Sequence, residues 1–231
     1  MKNYDVADNG LQLQGYEFEE IIPHGAFNAV FSRAGVGKTS FIVQIALNAM
    51  LKQKNVLHIG LGESVNKISL WYKELFCLLA EQNLIKEKDF LFESLLKKRF
   101  IMTFNVDAFS VPRLSERLSD LSEQNIFSPD MIIIDGLRFD SDVRDSISEI
   151  KAFAGEKSLH VWFTVRTHRH EETGSGLFPV QLSSVDNLFD VVIQLNPEGK
   201  KIHVLTLKGG SADDNDHKIM VDPSTMLIKI A

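Results

Sequence analysis

One short run of residues near the start of the chain has the composition and spacing of a phosphate-binding loop. It combines two glycines, a lysine and hydroxyl side chains in the order Ser32-Arg33-Ala34-Gly35-Val36-Gly37-Lys38-Thr39-Ser40. An apolar stretch at 26–31 predicts a strand before this run, and residues 38–54 predict a helix after it. A Gly-rich turn before an ordinary helix is the alternative interpretation, and the strand–loop–helix context argues against it.

Each residue type in this run suits the binding of a triphosphate. The free backbone N–H groups at a helix N-terminus attract anions, and Gly35 and Gly37 let the backbone curl around phosphates without a Cβ in the way. We expect Lys38 to reach the β- and γ-phosphates and the Thr39 hydroxyl to bind Mg²⁺. Ser32 occupies the position where the usual pattern has its first glycine, and serine is small enough to preserve the turn.

An acidic residue that follows a predicted strand is a candidate for the same site. Residues 131–134 are four consecutive apolar residues that predict a strand buried on both faces, and Asp135 ends it. Ligands of open α/β sheets gather at the carboxyl ends of strands, so Asp135 is a candidate to orient metal-bound water. The alternative interpretation of Asp135 is a plain turn residue. Glu63 closes the predicted strand 56–61, and as an exposed acid at the start of the next helix it would favour the helix dipole.

The composition limits the class of protein and its partners. The chain has 231 residues and a net charge of −6, which argues against a broad, sequence-independent grip on nucleic acid but leaves room for a local basic groove. The single cysteine, Cys77, excludes an internal disulfide. No apolar run is long enough for a membrane helix, and the first residues lack a signal-peptide core, so we expect a cytoplasmic protein.

Hydrophobic patterns predict alternating strands and helices along the rest of the chain. In the predicted helix after the loop, only Gln44, Asn48 and Lys52 are polar at helical spacing, which predicts a narrow solvent-exposed stripe. Ser64 is a candidate N-cap for the next helix. Further predicted helices lie at 84–98, around Leu114, and at 141–154. Further predicted strands lie at 99–106, 159–165, 189–195, 201–208 and 226–230, with a hairpin turn at 196–199.

Two segments have weaker patterns. Residues 1–25 are mixed, with an alternating stretch at 10–15 that fits a short edge strand or arm. Residues 166–184 are polar and contain glycine without periodicity, which predicts a functional or mobile loop. Within that loop, residues 168–172 read His-Arg-His-Glu-Glu, a spacing that matches no zinc pattern and favours a solvated loop.

Taken together, these motifs resemble the core of RecA-type ATPases, a group that includes recombinases, hexameric helicases and the KaiC family. The features that carry the resemblance are the loop at 32–40, Glu63 near the end of a strand, Asp135 on a buried strand, a Pro/Gly lead-in at 21–27 and the strand at 190–195. It extends from about residue 20 to 210. It implies a single three-layer α/β P-loop NTPase domain over 1–231, with a mostly parallel sheet, flanking helices and antiparallel C-terminal strands.

The resemblance also implies roles for individual residues. Lys38 and Thr39 would hold phosphate and Mg²⁺, Asp135 would support the metal, and Glu63 would polarise the attacking water, although it lies one residue beyond the family position. Thr164 or Arg166 would have to contact the γ-phosphate in place of the family's polar residue. Lys208 stands where relatives carry a Lys-x-Arg that reaches a neighbouring subunit, but the arginine is absent. This absence predicts slow hydrolysis or an activator supplied by another protein.

The sequence supports two main functional hypotheses. The first is a Mg²⁺-dependent ATPase that binds ATP and ADP and forms a homo-oligomer through its nucleotide face. The second is a regulatory module that binds ATP with little turnover and acts on a protein partner. A DNA-binding recombinase or helicase is a weaker alternative because the chain is acidic. A small-molecule kinase is also weaker, because no Arg-rich lid stands out. No guanine-reading motif is visible, which favours adenine or an unselective pocket.

Overall fold

The strands of the protein join in one sheet of mostly parallel strands with helices on both faces. A computed structural model describes residues 26–139, 143–167, 178–209 and 219–230. The strands are β1 Phe27–Arg33, β2 Val56–Leu61, β3 Arg99–Phe104, β4 Met131–Asp135, β5 His160–Thr167, β6 Val191–Glu198, β7 Lys201–Lys208, β8 Ile219–Val221 and β9 Ile228–Ile230. The helices are α1 Lys38–Leu51, α2 Val65–Gln82, α3 Lys88–Leu96, α4 Val111–Glu123, α5 Val143–Lys157 and the short α6 Val180–Ser183.

The order of the strands brings distant parts of the chain to one edge. The order is β3-β2-β4-β5-β1-β6-β7-β8-β9, and every neighbouring pair from β3 to β6 is parallel. The remaining pairs, from β6 to β9, are antiparallel. The carboxyl ends of β1, β2, β4 and β5 therefore lie along the same edge, where ligands bind in open α/β sheets. The predicted fold class is confirmed at this level.

Two hydrophobic clusters sandwich the sheet. One contains the inner faces of α1, α2 and α3 together with residues of β8 and β9, and the other contains those of α4 and α5. Strands buried on both faces cannot alternate polar and apolar residues, which explains the continuous apolar run at the start of β4. Helix α1 lies in the middle of its layer, and most of its residues are buried.

The prediction of a solvent-exposed stripe on α1 is wrong for two of its three residues. Gln44 is 0% exposed and Asn48 is 7% exposed, and only Lys52 is exposed to solvent. The Gln44 amide nitrogen donates to the carbonyl oxygens of Ser40 and Met226, and its amide oxygen accepts from the Ile228 N–H. The β8–β9 hairpin thus covers the stripe at Gln44, and the Gln44 amide forms its hydrogen bonds with the backbone rather than with solvent.

Most predicted elements are present, with changes at their ends. Strand β2 and strand β7 have the predicted bounds, and Ser64 caps α2 by accepting the Lys67 N–H. Helix α3 is shorter than the predicted 84–98. The predicted hairpin between β6 and β7 is present, but its turn is shorter than 196–199, because β6 continues to Glu198 and the chain turns at Gly199, which has a φ of 59°. Strand β8 was not predicted, since three residues carry little periodicity.

The predicted loop at 166–184 is partly replaced by regular structure. Strand β5 continues to Thr167, and α6 forms at Val180–Ser183. Residues 168–177, which include the His-Arg-His-Glu-Glu run, lie outside the described residues. The predicted arm at 1–25 and residues 210–211 also lie outside them. Among the described helices, none combines the length and apolar character needed to span a membrane.

A buried histidine connects the sheet to α2. His58 on β2 is 0% exposed, and its Nδ1 lies 3.0 Å from the Tyr72 hydroxyl. The guanidinium of Arg99 stacks over the Tyr72 ring at 4.6 Å from the ring centre. The pKa of His58 is lowered from 6.5 to about 4, mainly by burial; the Asp135 charge opposes this shift and the Arg99 charge adds to it. His58 is therefore neutral in the folded protein at neutral pH.

This neutral histidine predicts a loss of stability in mild acid. The unfolded imidazole binds a proton near pH 6.5 and the folded one near pH 4, so protons favour the unfolded chain between these values. The free energy of unfolding is fully retained above pH 6.5 and falls as the pH drops toward 4, by about 3 kcal/mol from this group. Urea unfolding of the wild type at pH 7 and pH 4.5 measures the loss.

A double variant serves as the control for this prediction. His58→Leu combined with Tyr72→Phe removes the titrating ring together with its hydroxyl partner, so that neither is left unpaired. We expect the double variant to lose about 2–3 kcal/mol less than the wild type between pH 7 and pH 4.5. Equal losses in the two proteins would contradict the assignment to His58.

Candidate functional site

The loop between β1 and α1 has the backbone geometry of a tight cradle around the start of a helix. Gly35 and Gly37 have φ values of 79° and 107°, a region that residues with a Cβ rarely adopt. Gly37 is the N-cap of α1 and offers no side chain to the first N–H groups of the helix. Since those groups have no partner within the helix, they are free to bind an anion.

The residues of the loop differ in their exposure to solvent. Arg33, Ala34 and Gly35 are exposed, whereas Ser40 is buried in the first turn of α1. Val36 and the side chains of Lys38 and Thr39 are partly buried. Exposure therefore decreases along the loop, from its tip at 33–35 to the first turn of α1.

Lys38 lies over the loop and contacts its backbone. Its Nζ donates to the carbonyl oxygens of Ser32 and Arg33, each at 2.9 Å, and to the Ser32 hydroxyl at 3.4 Å. Burial lowers the pKa of Lys38 from 10.5 to about 8; Asp135 opposes this shift and Arg166 adds to it. Lys38 is thus a protonated, partly desolvated cation at neutral pH, next to a second cation.

Asp135 lies directly against the first turn of α1. Its Oδ2 accepts a hydrogen bond from Thr39 Oγ1 at 3.0 Å, although Asp135 ends β4 and α1 follows β1, two strands that β5 separates in the sheet. Its Oδ1 accepts from the Thr164 hydroxyl, which in turn accepts the Gly136 N–H at 3.2 Å. The carboxylate is therefore fixed on both sides, by the helix and by the neighbouring strand.

Thr164 and Arg166, the two candidates for a γ-phosphate contact, differ in their surroundings. Thr164 is 3% exposed, and its hydroxyl is engaged with Asp135 and Gly136. Arg166 is exposed and pairs in register with Ser32 across the β1–β5 ladder, and its charge lowers the pKa of Lys38. Because Arg166 is exposed and Thr164 is buried, Arg166 is the better candidate of the two to contact a ligand. The part played by Thr164 in holding Asp135 was not foreseen from the sequence.

Glu63 lies at the same edge but makes a local ion pair. Gly60 pairs in register with Asp135, so Glu63, which follows β2, belongs to the same carboxyl edge. Its carboxylate accepts a hydrogen bond from Lys67 at 2.7 Å, and both side chains are substantially exposed. Glu63 also precedes the N-cap of α2, so the two interpretations of this residue, helix-start acid and water-polarising base, remain distinct hypotheses.

The residues near Thr39 fit a magnesium ion bound together with a phosphate ligand. Mg²⁺ prefers oxygen donors and is usually held by one or two protein groups plus water and phosphate. A hydroxyl and a fixed carboxylate 3.0 Å apart at the mouth of the loop provide such donors. Among the described residues, no group of three or more His, Cys, Asp and Glu side chains could hold a metal without further ligands.

Comparison with known proteins adds no family assignment. No protein-family model matches the sequence, and no curated protein matches it. The interpretation of the site therefore depends on its geometry.

The hydrogen bonds of Thr164 predict a measurable contribution to stability. In Thr164→Val the shape is kept but the hydroxyl is lost, so Asp135 and the Gly136 N–H each lose a partner; we expect a cost of about 1–3 kcal/mol. Thr164→Ser keeps the hydroxyl and loses one methyl group, which costs about 1 kcal/mol. Denaturant unfolding at pH 7 compares the two, and a valine variant as stable as the serine variant would contradict the hydrogen-bond assignment.

Proposed function

We propose that this protein binds ATP and Mg²⁺ at the loop 32–40 and hydrolyses ATP slowly. The observation that carries the proposal is the hydrogen bond between Thr39 and Asp135. The loop alone predicts an anion site, and Asp135 alone is a common strand end. Their contact, made by residues far apart in the chain, joins a phosphate cradle to a carboxylate in the way a metal–nucleotide site requires.

The chain's own residues would act mainly through binding and orientation. The N–H groups at the start of α1 would hold the phosphates, and Lys38 and the exposed Arg166 would neutralise their charge. Thr39 and Asp135 would hold Mg²⁺, which supplies further charge neutralisation when bound. Glu63, released from Lys67, would orient a water molecule for attack on the γ-phosphate. This arrangement supports phosphoryl transfer to water, with positioning as its main contribution.

Two contacts favour the second candidate, a nucleotide-binding module with little turnover. Glu63 is held by Lys67, and the Lys208 amine donates to the Asp186 carbonyl oxygen of its own chain at 2.8 Å. Both residues would have to leave these partners to take part in hydrolysis, in cis or across a subunit contact. A protein partner or a homo-oligomer that draws them away would then control turnover. The same proposal includes a preference for ATP over GTP, a cytoplasmic location and a relationship to the RecA/KaiC-like ATPases.

The binding of nucleotide is tested first with Lys38→Ala. We expect Mg·ATP to raise the thermal unfolding midpoint of the wild type by mass action, and the variant to show a much smaller rise because the phosphates lose their nearest cation. Lys54→Ala is the matched control, since this exposed lysine lies beyond the opposite end of α1. A wild type whose midpoint does not respond to Mg·ATP or Mg·GTP would exclude both candidate functions.

Hydrolysis is tested next with Glu63→Gln. If Glu63 polarises the attacking water, phosphate release falls about 10²–10⁴-fold while Mg·ATP binding stays at the wild-type level. Glu74→Gln, on the exposed side of α2, is the control for removing an acid from this region. Tight binding with equal, negligible phosphate release by wild type and both variants would instead favour the regulatory module.

A further inference from the structure

The turn between β8 and β9 contains a methionine in an unusual backbone conformation. Met226 has a φ of 58°, a left-handed conformation in which the Cβ of any residue but glycine crowds the backbone. Its N–H donates to the Asp222 carbonyl oxygen at 2.6 Å, and the Asp222 N–H donates to the Leu227 carbonyl oxygen at 2.8 Å, which closes the turn. Glycine would adopt this conformation at lower cost. The reason for a methionine at this position must therefore lie in the contacts of its side chain.

The side chain of Met226 packs on the last glycine of the phosphate-binding loop. A Cβ on Gly37 would lie 3.3 Å from the Met226 sulfur, with no other atom as close. Met226 and Val36 both pack against the hydrophobic cluster that contains α1. The sulfur therefore covers the point where the loop becomes a helix. Methionine suits such a place because its unbranched thioether adapts to an irregular surface.

Gln44 fixes this turn to α1 from the other side. It donates to the Ser40 carbonyl oxygen within the helix and to the Met226 carbonyl oxygen in the turn, each at 2.9 Å. Its amide oxygen accepts the Ile228 N–H at 2.9 Å. A completely buried amide with its bonds satisfied holds its partners in one arrangement, because breaking any of them leaves a buried polar group unpaired.

We propose that Met226 is a positioning residue for the phosphate-binding loop. Its left-handed backbone, held by Gln44, presses the thioether onto Gly37 and so keeps the first turn of α1 in the form that presents its N–H groups. Strained backbone persists where the surroundings over-determine it, and here the surroundings are the hydrogen bonds that close the turn and the amide of Gln44. The effect of Met226 on ligand affinity rests on the proposed function. Its effect on the conformation of the loop does not.

The inference is tested with Met226→Gly and its conservative partner Met226→Leu. Glycine relieves the backbone strain and removes the side chain, whereas leucine keeps a side chain of similar volume on Gly37. The primary readout is amide hydrogen exchange at residues 41–44, where the Phe41 N–H donates to the Gly37 carbonyl oxygen at 2.8 Å. We expect about tenfold faster exchange there in the glycine variant, with β2 amides unchanged and the leucine variant close to wild type.

A second readout uses Mg·ATP as the ligand. The dissociation constant should rise about tenfold in Met226→Gly and stay near the wild-type value in Met226→Leu. Unchanged exchange at 41–44 in the glycine variant would overturn the inference, with or without ligand binding. Equal acceleration at 41–44 and in β2 would also overturn it, because that pattern means general destabilisation. Faster exchange at 41–44 alone, in a protein that binds no Mg·ATP, would support the positioning role of Met226 and contradict the proposed function.

Discussion

The hydrogen bond between Thr39 and Asp135 determines how the functional edge of the sheet is built. It joins the start of α1 to the end of β4 across the intervening strand β5, and Thr164 on β5 holds the same carboxylate. Three elements are thereby fixed to one acidic group. Two hydroxyl donors fix the orientation of the carboxylate, and through it the start of α1 is held against the ends of β4 and β5.

The antiparallel part of the sheet supports this edge from the side. Strands β8 and β9 lie far from β4 in the sheet, yet the turn between them reaches the loop through Met226 and reaches α1 through Gln44. Helix α1 is consequently held by the parallel strands beneath it and by the hairpin beside it. The first turn of a helix is where backbone bonds are fewest, so it benefits most from such lateral contacts.

The sequence predicted the parallel core and the candidate ligand-binding residues, but not the environments of those residues. Glycine spacing, strand periodicity and the carboxyl-edge rule act locally or within one sheet, which is why the loop and Asp135 could be assigned to one site. The burial of Gln44, the role of Thr164 and the contact of Met226 with Gly37 depend on side chains separated by many residues. A polar residue on a helix is normally exposed, and only the docked hairpin reverses that expectation.

The charge balance around Lys38 explains why this edge would favour an anion in a protein of net charge −6. Burial is the larger cause that lowers the pKa of Lys38, the Asp135 charge opposes it, and Arg166 lowers the pKa as well. The partial positive charge at the start of α1 adds to this excess of local positive charge. A bound anion would reverse part of each effect by compensating the desolvated ammonium and screening the two cations from one another. The more charges an anion carries, the more of these groups it can compensate together, and this is why the proposed ligand is a polyphosphate rather than a single carboxylate.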